Sequence, residues 1–202
     1  MDLAIIKYNA GNIQSVLYAL ERIGVSAIVT DDHEQIRSAD RVIFPGVGEA
    51  SSAMRYLTER KLDKLIINLE QPVLGICLGM QLMCSYSEEN DTKCLGIFDE
   101  QVCRFRPPFS SGEITGTYKV PQVGWNNIYD LKTGLFKEIT ENSYCYFVHG
   151  YYAALGHHTI ATTDYIQPYS SGLKKNNFYG VQFHPEKSAV TGENIIRNFL
   201  NI

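Results

Sequence analysis

The chain has 202 residues, of which 45% are hydrophobic and 20% are charged, and its formal net charge is −4. These values are ordinary for a globular protein, and a chain of this length buries roughly 70% of its unfolded surface. The acidic balance, without any cluster of lysine and arginine, argues against the basic surface with which proteins bind nucleic acid. We therefore expect a single domain over residues 1–202 and no nucleic-acid partner.

The N-terminal segment Met1–Tyr8 has an acidic residue at position 2 and an apolar run too short for a signal peptide. No apolar stretch approaches the roughly 20 residues that a membrane span needs. Five cysteines without regular spacing suit a reducing compartment. His157 and His158 lack partners at metal-ligand spacing, so we expect no metal. The sequence thus predicts a cytoplasmic protein with no membrane partner, and nothing in it indicates a cofactor.

The first half of the chain alternates strand patterns with helix patterns. We predict strands at residues 3–7, 25–30, 41–44 and 73–76, with helical stretches near 54–57 and 62–69. Asn12 is predicted to cap a helix that runs towards Ile23, with Gly24 as its stop signal. This alternation predicts an α/β fold with an open, mostly parallel or mixed sheet and helices on both faces.

The second half is richer in short β-like runs. We predict strands at residues 101–105, 116–120, 144–148, 159–163 and 178–183, followed by a last helix over 192–200. Pro107-Pro108 and Ser110-Ser111-Gly112 mark a loop. Aromatic residues at strand spacing are usually core residues, and we expect this of Tyr151 and Tyr152.

Cys77 follows the apolar run that begins at Val73, and it has Gly75 and Gly79 on its two sides. Flanking glycines suit a strand-turn-helix elbow, because the residue at the centre of that turn takes strained backbone angles. The thiol would then project from the carboxyl end of a strand and lie at a helix N-terminus, which favours the thiolate. An isolated cysteine is more often a packing residue. We expect the remaining cysteines to be packing or surface residues: Cys84, Cys94, Cys103 and Cys145.

The run from Val181 to Glu186 is predicted as a strand that places His184 and Glu186 on the same face. At roughly 3.3 Å of rise per residue, their side chains start about 7 Å apart, so the carboxylate can meet the imidazole. Pro185 would make that relation rigid. A lone histidine on a strand is usually structural, but the cysteine elbow favours a catalytic triad. In such a triad Cys77 attacks, His184 carries the proton and Glu186 holds the imidazole.

A thiol enzyme of this kind needs N–H donors for an oxyanion, and two places offer them. One is the backbone N–H of Leu78 in the elbow. The other is the loop Pro45-Gly46-Val47-Gly48, where Val47 and Gly48 are the candidates, although the loop alone is an ordinary turn. It is not a dinucleotide fingerprint, because Ser51 stands where the third glycine is needed. The triad by itself leaves a peptidase, an amidase, a thioester hydrolase and a redox sensor open.

Three motifs together resemble those of the class I, triad-type glutamine amidotransferases. They are Pro45–Gly48, Gly75–Gln81 and Gln182–Ser188. Residues 8–12, 119–126 and 146–152 resemble one branch of that family, the glutaminase subunits of imidazole glycerol phosphate synthase from histidine biosynthesis. The resemblance covers essentially the whole chain and implies a flavodoxin-like α/β fold.

The resemblance implies that the substrate is L-glutamine, which is hydrolysed to glutamate and ammonia through a γ-glutamyl thioester on Cys77. It implies that Gly46, Gln81 and Glu89 contact the substrate, although Glu88 and Glu89 fit a solvated charge pair equally well. It also implies a heterodimer with a (β/α)₈-barrel cyclase, which uses the ammonia to make imidazole glycerol phosphate and an aminoimidazole carboxamide ribonucleotide. Candidate contacts with that partner are Asn12, Trp125, Tyr146 and Lys187.

Three positions bear on regulation and on the acceptor. Most relatives in the wider family have a glycine at the position of Val47, and we expect the Val47 amide to face away from the oxyanion until the partner binds its ligand. Gln122 and Val123 stand where this branch usually has histidine and methionine. Paralogous glutaminases feed a barrel synthase of surface-sugar biosynthesis, so that acceptor stays open.

Two alternatives lie outside this class of enzyme. The chain is a silent regulatory subunit if the triad has no catalytic role, but Cys77, His184 and Glu186 are all intact. It is a cysteine redox sensor if only the Cys77 thiol has a function, but a sensor of that kind does not need the His-Pro-Glu segment. Labelling of Cys77 by a glutamine-analogue electrophile distinguishes the three possibilities.

Overall fold

The structure is a computed structural model that describes residues 1–9, 12–107 and 118–202. In chain order the strands are β1 (Leu3–Ile6), β2 (Ile28–Thr30), β3 (Arg41–Gly46), β4 (Val73–Cys77), β5 (Tyr86–Ser87), β6 (Thr92–Lys93), β7 (Gln101–Arg104), β8 (Gln122–Ile128), β9 (Ser143–His149), β10 (Tyr151–Ala153), β11 (Thr159–Tyr165), β12 (Gln167–Lys175) and β13 (Phe178–Val181). The α-helices are α1 (Ile13–Arg22), α2 (His33–Ser38), α3 (Ala50–Glu59), α4 (Leu62–Ile66), α5 (Leu78–Met83) and α6 (Ala189–Leu200). Over these ranges, no helix combines the length and the apolar character that crossing a membrane requires.

The main sheet has the strand order β2-β1-β3-β4-β13-β12-β10-β7-β5-β6, and β11 pairs with β12. Strands β2, β1, β3, β4 and β13 are parallel neighbours, whereas β12 pairs with its neighbours in the antiparallel sense. Strands β3, β4 and β13 therefore end at the same edge, where open α/β sheets place their ligands. The predicted mixed sheet is confirmed.

Alternate residues of β1 show how the sheet is covered. Ala4 and Ile6 pack in a buried cluster with α2, α3, α4 and α5, whereas Leu3 and Ile5 pack in a second cluster with α1 and α6. Successive side chains of a strand point to opposite faces, so the two clusters are the two sides of the sheet. Both faces carry helices, as predicted.

A separate two-stranded ribbon consists of β8 and β9, and we call it the ribbon. Its register places Val123 opposite Val148 and Trp125 opposite Tyr146. The side chains that point inwards pack in the second cluster: Ile128, Cys145 and Phe147. On the other face Trp125 is 53% exposed and Tyr144 is 60% exposed. The ribbon therefore buries one face and leaves an apolar face uncovered in this chain.

Some predicted elements differ from the observed ones. The prediction of a strand at 116–120 is wrong for residues 118–120, and the strand begins only at Gln122. Pro121 cannot donate a ladder hydrogen bond, which explains why pairing starts after it. Residues 116–117, most of the predicted loop (Pro108, Ser110, Ser111 and Gly112) and the Ala10-Gly11 part of the N-terminal motif lie outside the described residues.

The start of α1 also differs from the prediction. Asn12 holds the N-cap position, but its side chain makes no capping hydrogen bond to the helix backbone. Its side-chain oxygen accepts from the Ser15 hydroxyl, and its Nδ2 donates to Glu186. Gly24 has φ +76°, so it ends the helix in the conformation that glycine favours. Asn12 therefore bonds the predicted triad and the Ser15 side chain, and it does not cap the helix backbone.

Candidate active site

Cys77 lies at a strained turn between β4 and α5. Its backbone angles are φ 52° and ψ −109°, a region that residues with a side chain rarely occupy. Gly75 and Gly79 pack so tightly that a Cβ on Gly79 would overlap the Phe44 carbonyl and one on Gly75 would overlap Met80 and Met83. The predicted elbow is confirmed, and it places the cysteine at the carboxyl edge of the sheet.

His184 and Glu186 lie beyond a strand and not on it, so that part of the prediction is wrong. Strand β13 ends at Val181, and Pro185–Lys187 form a 3₁₀ turn in which the Lys187 N–H donates to the His184 carbonyl at 3.0 Å. Pro185 has no N–H to continue the ladder, but its fixed φ suits the first position of such a turn.

The turn nevertheless brings the two side chains together. His184 Nδ1 lies 2.7 Å from Glu186 Oε1, and Asn12 Nδ2 donates to the same oxygen at 3.2 Å. The His184 and Glu186 side chains are only 3% and 1% exposed. A buried carboxylate at this distance fixes both the orientation of the imidazole and the proton on its Nδ1. Glu186 therefore orients His184.

Ser188 holds the backbone of His184 in place. Its hydroxyl donates to the His184 carbonyl at 2.6 Å and accepts from the Tyr146 N–H at 3.0 Å. The His184 N–H in turn donates to the Tyr146 carbonyl at 2.9 Å. The ribbon is thus bonded directly to the segment that carries His184. Residue spacing does not predict this link, because the link depends on the packing of β9 against the turn.

The thiol of Cys77 faces both the ribbon and the residue that follows β13. Its Sγ lies 3.8 Å from the Val148 carbonyl oxygen and 3.6 Å from Gln182 Nε2. Burial lowers the pKa of His184, but the charge and hydrogen bond of Cys77, together with those of Glu186, outweigh it and raise that pKa to about 10. The raised pKa favours the imidazolium form of His184, which is the form that can donate a proton to a leaving group.

A cavity of about 360 Å³ opens beside Cys77. Its size is in the range of small-molecule sites. The predicted site residues that line it are Asn12, Val47, Gly48, Cys77, Leu78, Gln81, Glu89, His184 and Lys187. Four lining residues were not predicted: Val148, His149, Gly150 and Tyr151. Val148 and His149 end β9, Gly150 links the two strands and Tyr151 begins β10. The packing of the ribbon brings them to the cavity, and residue spacing does not predict that packing.

The remaining predicted residues do not line this cavity. Gly46 is buried behind its wall, against the Tyr8 hydroxyl and the Leu78-Gly79 segment. Glu186 lies behind His184. Trp125 and Tyr146 lie on the ribbon, with ring centroids 5.9 Å apart.

Glu88 and Glu89 are not a solvated pair, because each has its own partner. Glu89 Oε2 accepts from the Ala50 N–H at 2.8 Å, and the side chain is half-buried in the cavity wall. Burial raises the pKa of Glu89, against the opposing effect of the Ala50 hydrogen bond. Glu88 accepts from the Arg104 N–H at 2.6 Å and pairs with Arg106. Of these two carboxylates, only Glu89 therefore offers its charge to a ligand in the cavity.

Gln81 joins two walls of the cavity. Its Nε2 donates to the Tyr151 carbonyl and to Gln182 Oε1, each at 2.9 Å. Both amide hydrogens are therefore used, and only its side-chain oxygen is left for a ligand. Tyr151 is half-buried and lines the cavity, in contrast to the predicted core position. Tyr152 is buried as predicted, and its ring stacks on Phe105 with centroids 4.5 Å apart.

His149 contributes a neutral imidazole to the wall. Burial, together with the nearby charge of His184, lowers its pKa to about 4, although the hydrogen bond to the Tyr151 carbonyl acts in the opposite direction. Its Nδ1 lies 2.7 Å from that carbonyl, and its Nε2 lies 3.3 Å from the Tyr169 hydroxyl. Gln122 is buried and accepts from the same hydroxyl at 3.0 Å. The unusual glutamine at position 122 thus completes a polar network behind the cavity.

The family model "Glutamine amidotransferase class-I" matches residues 4–202. An imidazole glycerol phosphate synthase subunit HisH of Bacteroides fragilis is 56% identical, and one of Bacteroides thetaiotaomicron is 54% identical; in each case the match covers 100% of both chains.

Solved structures agree at the level of the fold. A crystal structure of a glutamine amidotransferase has a TM-score of 0.72 at 15% identity, covering 98% of this chain and 97% of that one. A glutamine amidotransferase from Thermotoga maritima has a TM-score of 0.61 at 19% identity, covering 100% of this chain and 83% of that one. Together with the full-length relatives, these matches show that the chain belongs to the class-I glutamine amidotransferase family, in the branch of the HisH subunits.

Proposed function

We propose that this chain hydrolyses L-glutamine to L-glutamate and ammonia and delivers the ammonia to the partner subunit of an imidazole glycerol phosphate synthase. The observation that carries the proposal is the position of Cys77. It lies on a strained elbow that opens into a small cavity, next to a buried His184–Glu186 pair. The name shared by the full-length relatives supports the same reaction and the same assembly.

In the proposed reaction the Cys77 thiolate attacks the carbon of the glutamine side-chain amide and forms a tetrahedral oxyanion. His184 donates its proton to the amide nitrogen, the carbon–nitrogen bond breaks, and ammonia leaves. The result is a γ-glutamyl thioester and a neutral imidazole. His184 then takes a proton from water, whose oxygen attacks the thioester carbon, and glutamate is released as the thiolate re-forms. Glu186 stabilises the imidazolium that is present before the first step and re-forms in the second.

The oxyanion needs donors on the cavity side of Cys77. The candidates are the N–H of Leu78 and those of Val47 and Gly48, and all three residues line the cavity. Gly48 has φ +114°, a backbone conformation that glycine adopts readily and that residues with a side chain rarely adopt. We propose that the Val47 amide turns towards the oxyanion when the partner holds its own ligand. Such a change gives the partner a way to control hydrolysis, because the two loop states bind the transition state differently.

The amino-acid end of glutamine carries an ammonium group, and Glu89 is the carboxylate that suits it. The free oxygen of Gln81 lines the same cavity and is a second acceptor. We expect Glu89→Gln to raise KM for glutamine by roughly 10- to 100-fold, the equivalent of one hydrogen bond to a charged group, with a smaller effect on kcat. Steady-state kinetics measure this split.

Glu88→Gln is the matched control for that variant. It removes one charge from the neighbouring residue, but Glu88 binds Arg104 and Arg106 and does not line the cavity. KM should stay within about twofold of wild type, because the exposed ion pair with Arg106 contributes little. Equal KM effects in the two variants would exclude Glu89 as the ammonium ligand.

The uncovered face of the ribbon is the proposed docking surface for the partner. Val123 is 61% exposed and lies beside Trp125 and Tyr146 on the outward face. Asn12 and Lys187 line the cavity beside Cys77. We infer that a (β/α)₈-barrel cyclase covers this face, so that ammonia passes to it without release into solvent. Aromatic residues surrounded by polar ones are typical anchors of such interfaces.

Trp125→Ala tests the docking surface. We expect the partner to bind roughly 30-fold or more weakly, because a central tryptophan anchor is typically worth about 2 kcal/mol or more. Titration calorimetry with the purified barrel subunit measures the change. Ile67→Ala is the control, since Ile67 is 44% exposed but follows α4, which packs in the first cluster, whereas the ribbon packs in the second. A Trp125→Ala variant with wild-type affinity would place the interface elsewhere.

Reconstitution tests the proposed function as a whole. The chain is mixed with a barrel cyclase of histidine biosynthesis, or with a barrel synthase of surface-sugar biosynthesis, in the presence of glutamine and the matching acceptor. We expect glutamine-dependent imidazole glycerol phosphate with the first partner and no product with the second. The reverse result would reassign the acceptor and leave the glutaminase chemistry in place, whereas no glutamate with either partner would contradict the proposal.

A further inference from the structure

Tyr8 is a buried tyrosine directly behind the proposed oxyanion loop. It is 5% exposed, and its ring packs on Phe44 with centroids 5.2 Å apart. Its hydroxyl lies against Gly46, so closely that a Cβ on Gly46 would overlap it. The same Cβ would meet Leu78 and the Gly79 amide. The hydroxyl therefore lies where the loop from Pro45 to Gly48 meets the elbow.

Among the described residues, this hydroxyl has no hydrogen-bond partner, and its oxygen is shielded from solvent. Most buried polar groups are hydrogen-bonded, because a buried hydroxyl without a partner reduces stability. Phenylalanine would keep the ring contact with Phe44 and avoid that loss. An unpartnered hydroxyl beside this loop is thus explained if its hydrogen-bond partner is present in another state of the loop, the state proposed above in which the Val47 amide turns.

We propose that Tyr8 positions the oxyanion loop by donating a hydrogen bond to the Gly46 carbonyl when Val47 turns its N–H into the cavity. The two groups belong to one peptide unit, which is planar and trans, so they point in opposite directions. A rotation that brings the Val47 N–H to the oxyanion therefore turns the Gly46 carbonyl away from the cavity, towards the side where Tyr8 lies. The proposal rests on the proposed glutaminase function.

The chemistry of Tyr8 suits a donor. Burial, assisted by the charge of the nearby Cys77, raises the pKa of its hydroxyl well above the ordinary value of 10. The hydroxyl therefore keeps its proton while the thiolate is present. Tyr8 is a positioning residue in this scheme, because it acts on the loop and does not touch the substrate.

The test is Tyr8→Phe, assayed for glutamine hydrolysis alone and with the barrel partner and its acceptor. We expect kcat to fall about tenfold in the stimulated reaction, the rate equivalent of one hydrogen bond, with KM for glutamine unchanged. The thermal midpoint should stay the same or rise, because the variant loses a buried group that has no partner. Tyr179→Phe is the control, since it removes a hydroxyl from another buried tyrosine, on β13, whose ring packs on Phe199.

Three other outcomes would overturn the proposal. Wild-type kcat in Tyr8→Phe would show that the hydroxyl has no role in the reaction. A fall in kcat together with a lower thermal midpoint would assign Tyr8 to stability alone. Wild-type protein that releases no glutamate under any condition would refute the proposed function itself, and the role of Tyr8 would fall with it. In the first two outcomes the wild-type protein still hydrolyses glutamine, and only the role of Tyr8 fails. In the third it does not, so failure of the Tyr8 proposal is distinguishable from failure of the proposed function.

Discussion

Cys77→Ala is expected to lower the rate of glutamine hydrolysis by about 10⁴-fold or more, because the thioester pathway requires the thiolate. The fold should persist, since the elbow depends on the glycines around Cys77 and on the contacts of Gly79 with Phe44. Alanine removes one sulfur from a cavity wall and leaves the neighbouring packing in place. The glutamate released over time, together with circular dichroism, measures both effects.

A matched variant distinguishes the loss of the nucleophile from the general effect of removing a cysteine. Cys103 is partly exposed on β7 and does not line the cavity, so Cys103→Ala should retain a rate within about twofold of wild type. If Cys77→Ala kept measurable turnover while Cys103→Ala lost it, the nucleophile would have been misassigned.

Glu186→Gln is expected to lower kcat by about 10² to 10⁴-fold and to leave KM nearly unchanged. The carboxylate touches His184 Nδ1 and Asn12 but does not line the cavity, so its loss acts on the imidazole and not on substrate binding. Glutamine in its place removes the charge that stabilises the imidazolium. Glu193→Gln is the control, because that carboxylate pairs with Arg22 on the surface.

The same variant has a signature in the pH dependence of stability. The pKa of His184 is raised to about 10 in the folded protein, above its ordinary value of 6.5, so its contribution is fully present below pH 6.5 and is lost as pH rises through 10. Glu186 is one cause of that rise. The decrease in the free energy of unfolding between these pH values should therefore be smaller in Glu186→Gln than in wild type, as urea titrations at several pH values measure. Identical pH profiles would mean that Glu186 does not stabilise the imidazolium.

The sequence predicts the cysteine elbow correctly because the elbow is a local feature. Glycines two residues before and two after Cys77 are a direct signal of close backbone contact, and the contacts of Gly79 with Phe44 bear this out. The predicted contact between the Glu186 carboxylate and the His184 imidazole is also confirmed, but the strand conformation predicted for their backbone is wrong. Alternation of side chains suggested a strand through Glu186, whereas Pro185 starts a 3₁₀ turn that brings the same two groups together more closely.

Other features depend on tertiary contacts that spacing does not encode. Strand β12 was not predicted, because Pro168 and the Ser170-Ser171-Gly172 run are typical of a turn, yet pairing with β11 and β13 makes it a strand. The contribution of β9 to the cavity is likewise not predicted, because it depends on how the ribbon packs against the sheet. Val148 and His149 face Cys77 and His184 only because the ribbon packs across the carboxyl edge of the sheet.

Covalent labelling with a glutamine-analogue electrophile measures whether Cys77 is the nucleophile of a glutamine-specific site. Mass spectrometry of the wild-type protein should find one adduct, on the peptide that contains Cys77, and excess glutamine should prevent it. Cys77→Ala should remain unlabelled, because the other cysteines are buried or lie outside the cavity. Adducts spread over several cysteines, or labelling that glutamine does not suppress, would contradict a glutaminase active site at Cys77.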